Sequence, residues 1–419
     1  MTQFEEPTFD CRGGVYVYEW PTHSIRILLD HLKDGDSGPT AEIAIRSLVN
    51  GTDRHVHRTR LNLLTTTARR TLVSHLGERM PPLKEYWAGL LEYVSECTIQ
   101  AYRQGEPAVA LWDVETSEGL AYRFRPLLHE GAINLIFGAP GSLKSWVALF
   151  MGFCVHVPVK GWEAEPGRVL YLDYERDEKI NRKRLGAISS GLGVLGERSQ
   201  FDYRRCYYRL VDDLPEIQRL VLQNDIRFLI VDSAGGASGG DVLDNAEAIR
   251  CMLGLRSLGI TVLVLAHEPK NAENKSPFGA SYWTNYPSSV WHIRAEQEPG
   301  SNHADVGLYH HKVNDGRYLK PMGMSFDFDN DADDRLLSVN IKRSDVQNSF
   351  SLAKSTTIVA RAIHLLRQGD KLTTKDIAEE LDEKEASVRT KLAQHKGKIF
   401  GKEGETWFLL SERNSAAQR

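Results

Sequence analysis

Four short apolar runs constrain the fold of this chain most: Ile133-Asn-Leu-Ile-Phe, Arg168-Val-Leu-Tyr-Leu-Asp, Arg227-Phe-Leu-Ile-Val-Asp and Ile260-Thr-Val-Leu-Val-Leu-Ala. Each is apolar nearly throughout instead of alternating, which suits strands buried on both faces of a parallel sheet. Amphipathic stretches of helical spacing separate them, as βαβ crossovers require. An α/β core with a mostly parallel sheet is therefore expected over residues 116–345. Such sheets bind ligands beyond the C-terminal ends of their strands, so the polar residues that close these runs are the first candidates for chemistry.

The chain has 419 residues, more than one hydrophobic core usually serves, and the remainder divides by pattern. Residues 1–115 open on strand-like Val15-Tyr-Val-Tyr and continue in mostly helical stretches, with Trp87, Leu90, Leu91 and Val94 at helical spacing. A mainly helical N-terminal domain is expected there. A polar linker at 346–355 precedes a small unit at 356–419. With a net charge of -4 and 41% hydrophobic residues, nothing global points to nucleic acid or membrane, so any basic surface must be local. The apolar runs are too short to span a bilayer. No basic segment followed by an apolar run opens the chain, so no signal peptide is expected. Five cysteines (Cys11, Cys97, Cys154, Cys206, Cys251) without a C-x-x-C suit free thiols in a reducing cytoplasm better than disulfides or zinc.

The first apolar run leads into Gly138-Ala139-Pro140-Gly141-Ser142-Leu143-Lys144-Ser145, and the apolar helix Trp146–Val155 follows. A strand–loop–helix of this kind wraps a phosphate with backbone N–H groups and points a helix N-terminus at it. Lys144 is then expected to reach the β- and γ-phosphates of ATP and Ser145 to hold Mg²⁺. Leu143 stands where glycine is usual. Asp232 closes the third run, where a carboxylate can hold the Mg²⁺ water shell. Asp173 and Glu175 close the second and, if extended, point to one face; Glu175, nearer the strand's end, is preferred for orienting the attacking water. His267 closes the fourth run and is a candidate γ-phosphate sensor.

This set, Gly138–Ser145 with Glu175, Asp232 and His267, is similar to the RecA-like ATPases grouped around the RepA-type hexameric replicative helicases of plasmids and phages. Asp232-Ser-Ala-Gly-Gly-Ala-Ser-Gly-Gly-Asp and Phe278-Gly-Ala-Ser-Tyr-Trp-Thr-Asn resemble phage-associated members, and the likeness covers roughly residues 120–345. It implies a RecA-like core, with Glu175 as catalytic base, Asp232 as the Walker B acid and His267 as the link to DNA-facing loops. It further implies a homo-oligomeric ring with ATP between protomers and a cation supplied by the neighbour. Lys312 and Arg317, in Tyr309-His-His-Lys-Val-Asn-Asp-Gly-Arg, are the candidates for that cation; either is also readable as part of a solvated hairpin tip.

For nucleic acid, Ala234–Asp244 follows the Walker B run but has no lysine, arginine or aromatic residue; Glu273–Ser281, with Lys275 and Phe278, is a second candidate. The C-terminal unit reads as a winged helix, with helices over Thr356–Leu366, Lys375–Leu381 and Glu385–His395 and a hairpin over Ile399–Leu410. Its third helix carries Ser387, Arg389, Thr390, Lys391 and Gln394, followed by Lys396 and Lys398, which suits a DNA groove; a protein-binding winged helix is the other reading. Arginines 54, 58, 60, 69, 70 and 79 with His55, His57 and His75 form either a phosphate-contacting patch or a solvated face. The expected function is a DNA-dependent ATPase, a helicase-like ring motor in replication or maintenance of a mobile element. The ring would hold single-stranded DNA, with the winged helix taking duplex. A nucleotide-switched DNA-binding initiator or regulator and a filament-forming recombination or repair ATPase are the alternatives.

Overall fold

The computed structural model describes residues 5–12, 14–49, 52–105, 108, 119–194, 201–239, 244–268, 282–346, 358–366, 371–397 and 399–410. The N-terminal region opens with an antiparallel meander of β1 (Thr8–Arg12), β2 (Val15–Trp20), β3 (Ile25–Lys33), β4 (Thr40–Val49) and β5 (Thr52–Asn62). Helices α1 (Thr66–Arg79) and α2 (Trp87–Gln104) follow. Trp87, Leu90, Leu91 and Val94 of α2 share one core with Tyr18, Trp20, Ile27 and Ile43 of the sheet, and the Tyr18 hydroxyl meets Thr98 Oγ1 at 2.9 Å.

The expectation of a mainly helical N-terminal domain is corrected here: between Thr8 and Asn62 the described residues form the five strands β1–β5, and helices α1 and α2 come only after them. Ala41, Glu42, Arg46 and Leu48 favour helix by type. The alternation Ala41, Ile43, Ile45, all at most 1% exposed, instead places one face of β4 in the core. Burial of that face outweighed intrinsic propensity, which is a weak prior. A buried ion pair between Arg219 and Asp30 ties this sheet to the core that follows.

After a short hairpin of β6 (Tyr122–Phe124) and β7 (Leu128–His129), the core runs β8 (Ile133–Gly138), α3 (Lys144–His156), β9 (Arg168–Asp173), α4 (Glu178–Gly191), β10 (Phe201–Arg205), α5 (Leu210–Gln223), β11 (Ile226–Asp232), α6 (Ala234–Ala237), α7 (Asn245–Arg256), β12 (Thr261–His267) and α8 (Tyr282–Asn285). It closes with β13 (Ser289–Glu296), β14 (His303–Val313), β15 (Met322–Asn330) and β16 (Leu336–Ser344). These strands form one nine-stranded sheet in the order β10-β9-β11-β12-β8-β13-β14-β15-β16. Neighbours from β10 to β13 pair parallel and those from β13 to β16 antiparallel. All four apolar runs of the sequence are central or near-central strands. One face packs on α3 and α4, the other on α5 and α7. This is the α/β, mostly parallel arrangement that a RecA-like P-loop core requires.

The C-terminal unit contains α9 (Ile358–Leu366), β17 (Leu372–Thr373), α10 (Thr374–Leu381), α11 (Glu385–Gln394), β18 (Phe400–Glu403) and β19 (Thr406–Leu409). Thr373 and Asp376 form a reciprocal capping box at the start of α10. Ala362, Ile377, Val388, Leu392, Phe400 and Trp407 make a core of its own. Most of the 346–355 linker, Glu273–Ser281, residues 240–243 and Lys398 lie outside the described residues. Among the described residues, no helix is long and apolar enough to cross a membrane.

Candidate active site at the C-terminal strand edge

Register brings the strand ends side by side. Asp232 on β11 is level with Asp173 on β9 and Leu265 on β12, and His267 is level with Gly138 on β8. Everything that follows these positions therefore rises from one edge of the sheet.

The loop from Gly138 to Leu143 turns tightly between β8 and α3. Gly138 has no room for a side chain, since a Cβ would sit 2.4 Å from the Ile293 carbonyl oxygen. Gly141, at φ +81°, needs glycine for its backbone alone. Leu143 also lies in the left-handed region, at φ +61°. That conformation costs a non-glycine residue about 1–2 kcal/mol. The leucine, partly buried, packs against the core on the α3 side of the sheet, where full burial would stabilise by about 1.5–3 kcal/mol. That packing offsets part of the cost of the left-handed backbone at the position where glycine is usual.

Helix α3 begins without a side-chain cap and without an acidic residue in its first turn. Its N-terminal N–H groups and positive dipole end are left to an anion. Lys144 is 7% exposed. Its Nζ donates to the carbonyls of Gly138 (2.9 Å) and Ala139 (2.8 Å) and lies 3.4 Å from Ser142 Oγ. Burial lowers its pKa, opposed by the carboxylates of Asp232, Glu175 and Glu268. Trp146 turns inward instead of facing a ligand, edge-on to Phe328 at 5.4 Å and beneath the Arg184 guanidinium at 5.2 Å. Only its backbone is available to a phosphate. Pro140 and Gly141 form the exposed tip of the loop.

Ser145 Oγ donates to Asp232 Oδ2 at 2.6 Å, and the buried Tyr171 hydroxyl donates to the same oxygen. Asp232 is 5% exposed, and burial raises its pKa against the pull of those two hydroxyls. A hydroxyl and a buried carboxylate in contact are the oxygen donors that Mg²⁺ takes, and the cation would relieve the buried charge. The residues present fit a metal-bound nucleotide.

The two acids after β9 have different work. Asp173, 1% exposed, accepts from the backbone N–H groups of Glu175 and Arg176 at 2.9 and 2.8 Å. It also accepts from Asn181 Nδ2 at 2.6 Å and the Tyr203 hydroxyl at 3.0 Å. It is saturated, and it bends the chain after β9, so the extended alternation expected for Asp173 and Glu175 does not occur. Glu175 is directed by that turn toward β11 and β12. Its Oε1 accepts from the Ser233 hydroxyl and from His267 Nε2, the latter at 2.9 Å. Oε2 has no hydrogen bond among the described residues. The histidine contact, against desolvation, holds the Glu175 pKa down at about 2. His267 Nδ1 is buried without a partner among the described residues. Sequence reasoning missed Tyr171 and Ser233; both were within reach, one two residues before Asp173 on a strand and the other next to Asp232.

Lys312 and Arg317 lie elsewhere. Ser289, at the start of β13, pairs with both Asn134 and Val313, so the end of β14 and the hairpin after it occupy the opposite edge of the sheet from Gly138. Lys312 Nζ donates to the carbonyls of Asn285 (2.5 Å) and Pro287 (2.7 Å), and burial lowers its pKa. Arg317 is exposed and has no ion pair or hydrogen bond among the described residues. In the N-terminal patch, Arg58 pairs with Glu42 at 2.7 Å and Arg69 with Glu92 at 2.8 Å, while Arg79 donates to the Val56 carbonyl at 2.5 Å. Those three hold the domain together.

Residues 100–273 match AAA_25, an AAA domain family. The stretch runs from the end of α2 past β12 and takes in Lys144, Ser145, Glu175, Asp232 and His267, whereas Lys312, Arg317 and the C-terminal unit lie beyond it. Among solved structures, the chain is similar to a KaiC-like protein from the hyperthermophilic archaeon Pyrococcus horikoshii. The identity is 13% and the TM-score 0.38, over 52% of this chain and 93% of that one. No curated protein matches the sequence.

Proposed function

We propose, from the premise that residues 100–273 carry an AAA-type P-loop ATPase domain, that this chain is a DNA-dependent ATPase working as a helicase-like ring motor. One observation carries the ATPase part: Lys144, the Ser145–Asp232 pair and the Glu175–His267 pair stand together at one sheet edge, beside an uncapped helix N-terminus. ATP would lie with its β- and γ-phosphates on the loop N–H groups and Lys144. Ser145 and Asp232 would hold Mg²⁺, which neutralises charge developing on the phosphates. Glu175, with Oε2 unengaged, would orient water for in-line attack on the γ-phosphorus. The bond to the ADP oxygen breaks and the water's proton leaves through the carboxylate. A carboxylate held near a pKa of about 2 is a weak proton acceptor. Release of its contact with His267 would make Glu175 a stronger base, so His267 couples the state of the γ-phosphate to the residues that follow β12.

A cation from a neighbouring copy would complete the site. Arg317, exposed on the far edge of the sheet and without a partner among the described residues, suits that role better than Lys312, whose amine closes the 285–287 turn. DNA as partner is supported by the C-terminal unit, whose order α9-β17-α10-α11-β18-β19 we read as a winged helix. Ser387, Arg389, Thr390, Lys391 and Gln394 lie on the exposed side of α11, while Val388 and Leu392 face its core. The test is ATP hydrolysis by assembled protein with and without single-stranded DNA. Stimulation is expected; a rate indifferent to DNA would remove the motor and leave the ATPase. The same exposed helix favours a second reading, a nucleotide-switched DNA-binding regulator, which predicts sequence-selective duplex binding that survives Lys144→Ala.

A further inference from the structure

The two most exposed large apolar or aromatic side chains among the described residues are consecutive: Tyr207 at 75% and Tyr208 at 71%. They stand on the short loop between β10 and α5. That loop is fixed at both ends, by the Cys206 N–H on the Asp173 carbonyl at 2.9 Å and by the N–H groups of Asp212 and Asp213 on the Arg209 carbonyl, each at 3.1 Å. Rings presented to water from an anchored loop add nothing to the core, and they call for a ligand that covers them.

The surrounding charges select the ligand. Arg204 is held by the buried carboxylate of Asp213 at 2.5 Å, and Arg209 by Asp212 at 2.7 Å. Arg205 has no carboxylate partner among the described residues, and its guanidinium lies 5.2 Å from the Tyr207 ring centre. A cation with no carboxylate partner among the described residues, set over one face of Tyr207 and next to the exposed Tyr208, is poor ground for a protein interface core, which is contiguous and apolar. It is what a single-stranded nucleic acid needs: stacking for bases and a positive charge for the backbone.

Position agrees with chemistry. Arg205 pairs in register with Asp173, so the loop leaves the sheet at the edge that carries Glu175. The Arg209 stem lies against Gly239, where a Cβ would come within 2.4 Å of its Cγ and Cδ. The loop that carries the tyrosines thus ends, at Arg209, against the Gly/Ser-rich segment after Asp232, whose sequence has no cations or aromatics. We propose that Tyr207 and Tyr208 form a stacking platform for the bases of single-stranded nucleic acid, with Arg205 holding its backbone. This rests on the DNA-dependent reading and assigns the contact to residues outside the ATPase machinery.

The experiment uses the full chain, a fluorescent oligo-dT and an abasic oligomer of the same length, read by anisotropy, alongside DNA-free ATP hydrolysis and light scattering for assembly. Wild-type protein should prefer oligo-dT to the abasic strand. Tyr207→Ala and Tyr208→Ala should each weaken oligo-dT binding about fivefold or more and together erase the preference. DNA-free hydrolysis and assembly should be unchanged, and Tyr→Phe variants should bind like wild type. If wild-type protein binds oligo-dT but the double alanine variant binds it equally well with the base preference intact, the platform is wrong and the DNA-dependent reading stands. If the alanine variants lose assembly while retaining the base preference, the loop is an interface between copies and the proposal is overturned. If wild-type protein neither binds oligo-dT nor is stimulated by it, the underlying reading fails and takes the platform with it.

Discussion

The two edges of the nine-stranded sheet are built in opposite ways. At the C-terminal edge of its parallel strands, every functional side chain is engaged: Lys144 by the Gly138 and Ala139 carbonyls, Ser145 by Asp232, Glu175 by Ser233 and His267. At the other edge, Lys312 is tied to backbone carbonyls, whereas Arg317 stands exposed with no partner among the described residues. One edge is a preorganised charge-handling site. The other exposes a guanidinium that no group among the described residues engages. Preorganised polar groups stabilise developing charge without having to reorganise, and on the proposed reading a neighbouring copy's Arg317 would add to them.

Three substitutions would break or sharpen this contrast, taken from the largest expected effect. Asp232→Asn should lower ATP hydrolysis by about 100-fold or more, because the site loses its metal-holding charge. The same change should leave the ligand-free protein as stable or more stable. A buried carboxylate with a raised pKa disfavours the folded state at pH values above its unfolded pKa, and the amide removes that charge. Hydrolysis assays and thermal melts check the two halves; a large loss of ligand-free stability would mean that Asp232 serves the fold.

His267→Ala tests the clamp on Glu175. The glutamate's folded pKa lies below its ordinary value, so its stabilising contribution is complete above the usual glutamate range and is lost as pH falls toward about 2. Without the histidine contact that pKa returns toward its ordinary value, and the acid limb of the stability profile should become shallower. Thermal melts across acidic pH report it, and an unchanged limb would show that the contact is incidental.

Leu143→Gly should have the smallest effect. It relieves the left-handed leucine and gives up its packing, so net stability should change by about 1 kcal/mol or less. Nucleotide affinity should be unchanged or tighter, as measured by titration with a fluorescent ATP analogue. Lost binding would mean that the loop does not wrap phosphate as described.

Much of the core was readable in the sequence because its information is local. Unbroken apolar runs become central strands, and the residue that ends each run stands at the ligand edge. Of the N-terminal sheet only Val15-Tyr-Val-Tyr read as a strand; β4 carries helix-favouring Ala41, Glu42, Arg46 and Leu48, and the burial of its alternate positions Ala41, Ile43 and Ile45 distinguishes it. Within the site, residue types were legible but contacts were not. Nothing local tells that Asp173 is saturated by Asn181 and Tyr203, or that Glu175 meets His267 across 92 residues of chain. Likewise, that Lys312 is engaged and Arg317 is not depends on where the 285–287 turn passes.

The most direct test of the two-edge account mixes two variants, Lys144→Ala and Arg317→Ala, each expected to be nearly inactive alone. Loss of a transition-state arginine costs about 10³-fold or more in phosphoryl transfer. If one copy's P-loop edge is completed by another's Arg317, mixed assemblies contain interfaces with both intact partners, and ATP hydrolysis should rise well above that of either variant. Arg317→Ala protein turning over at the wild-type rate would contradict the account.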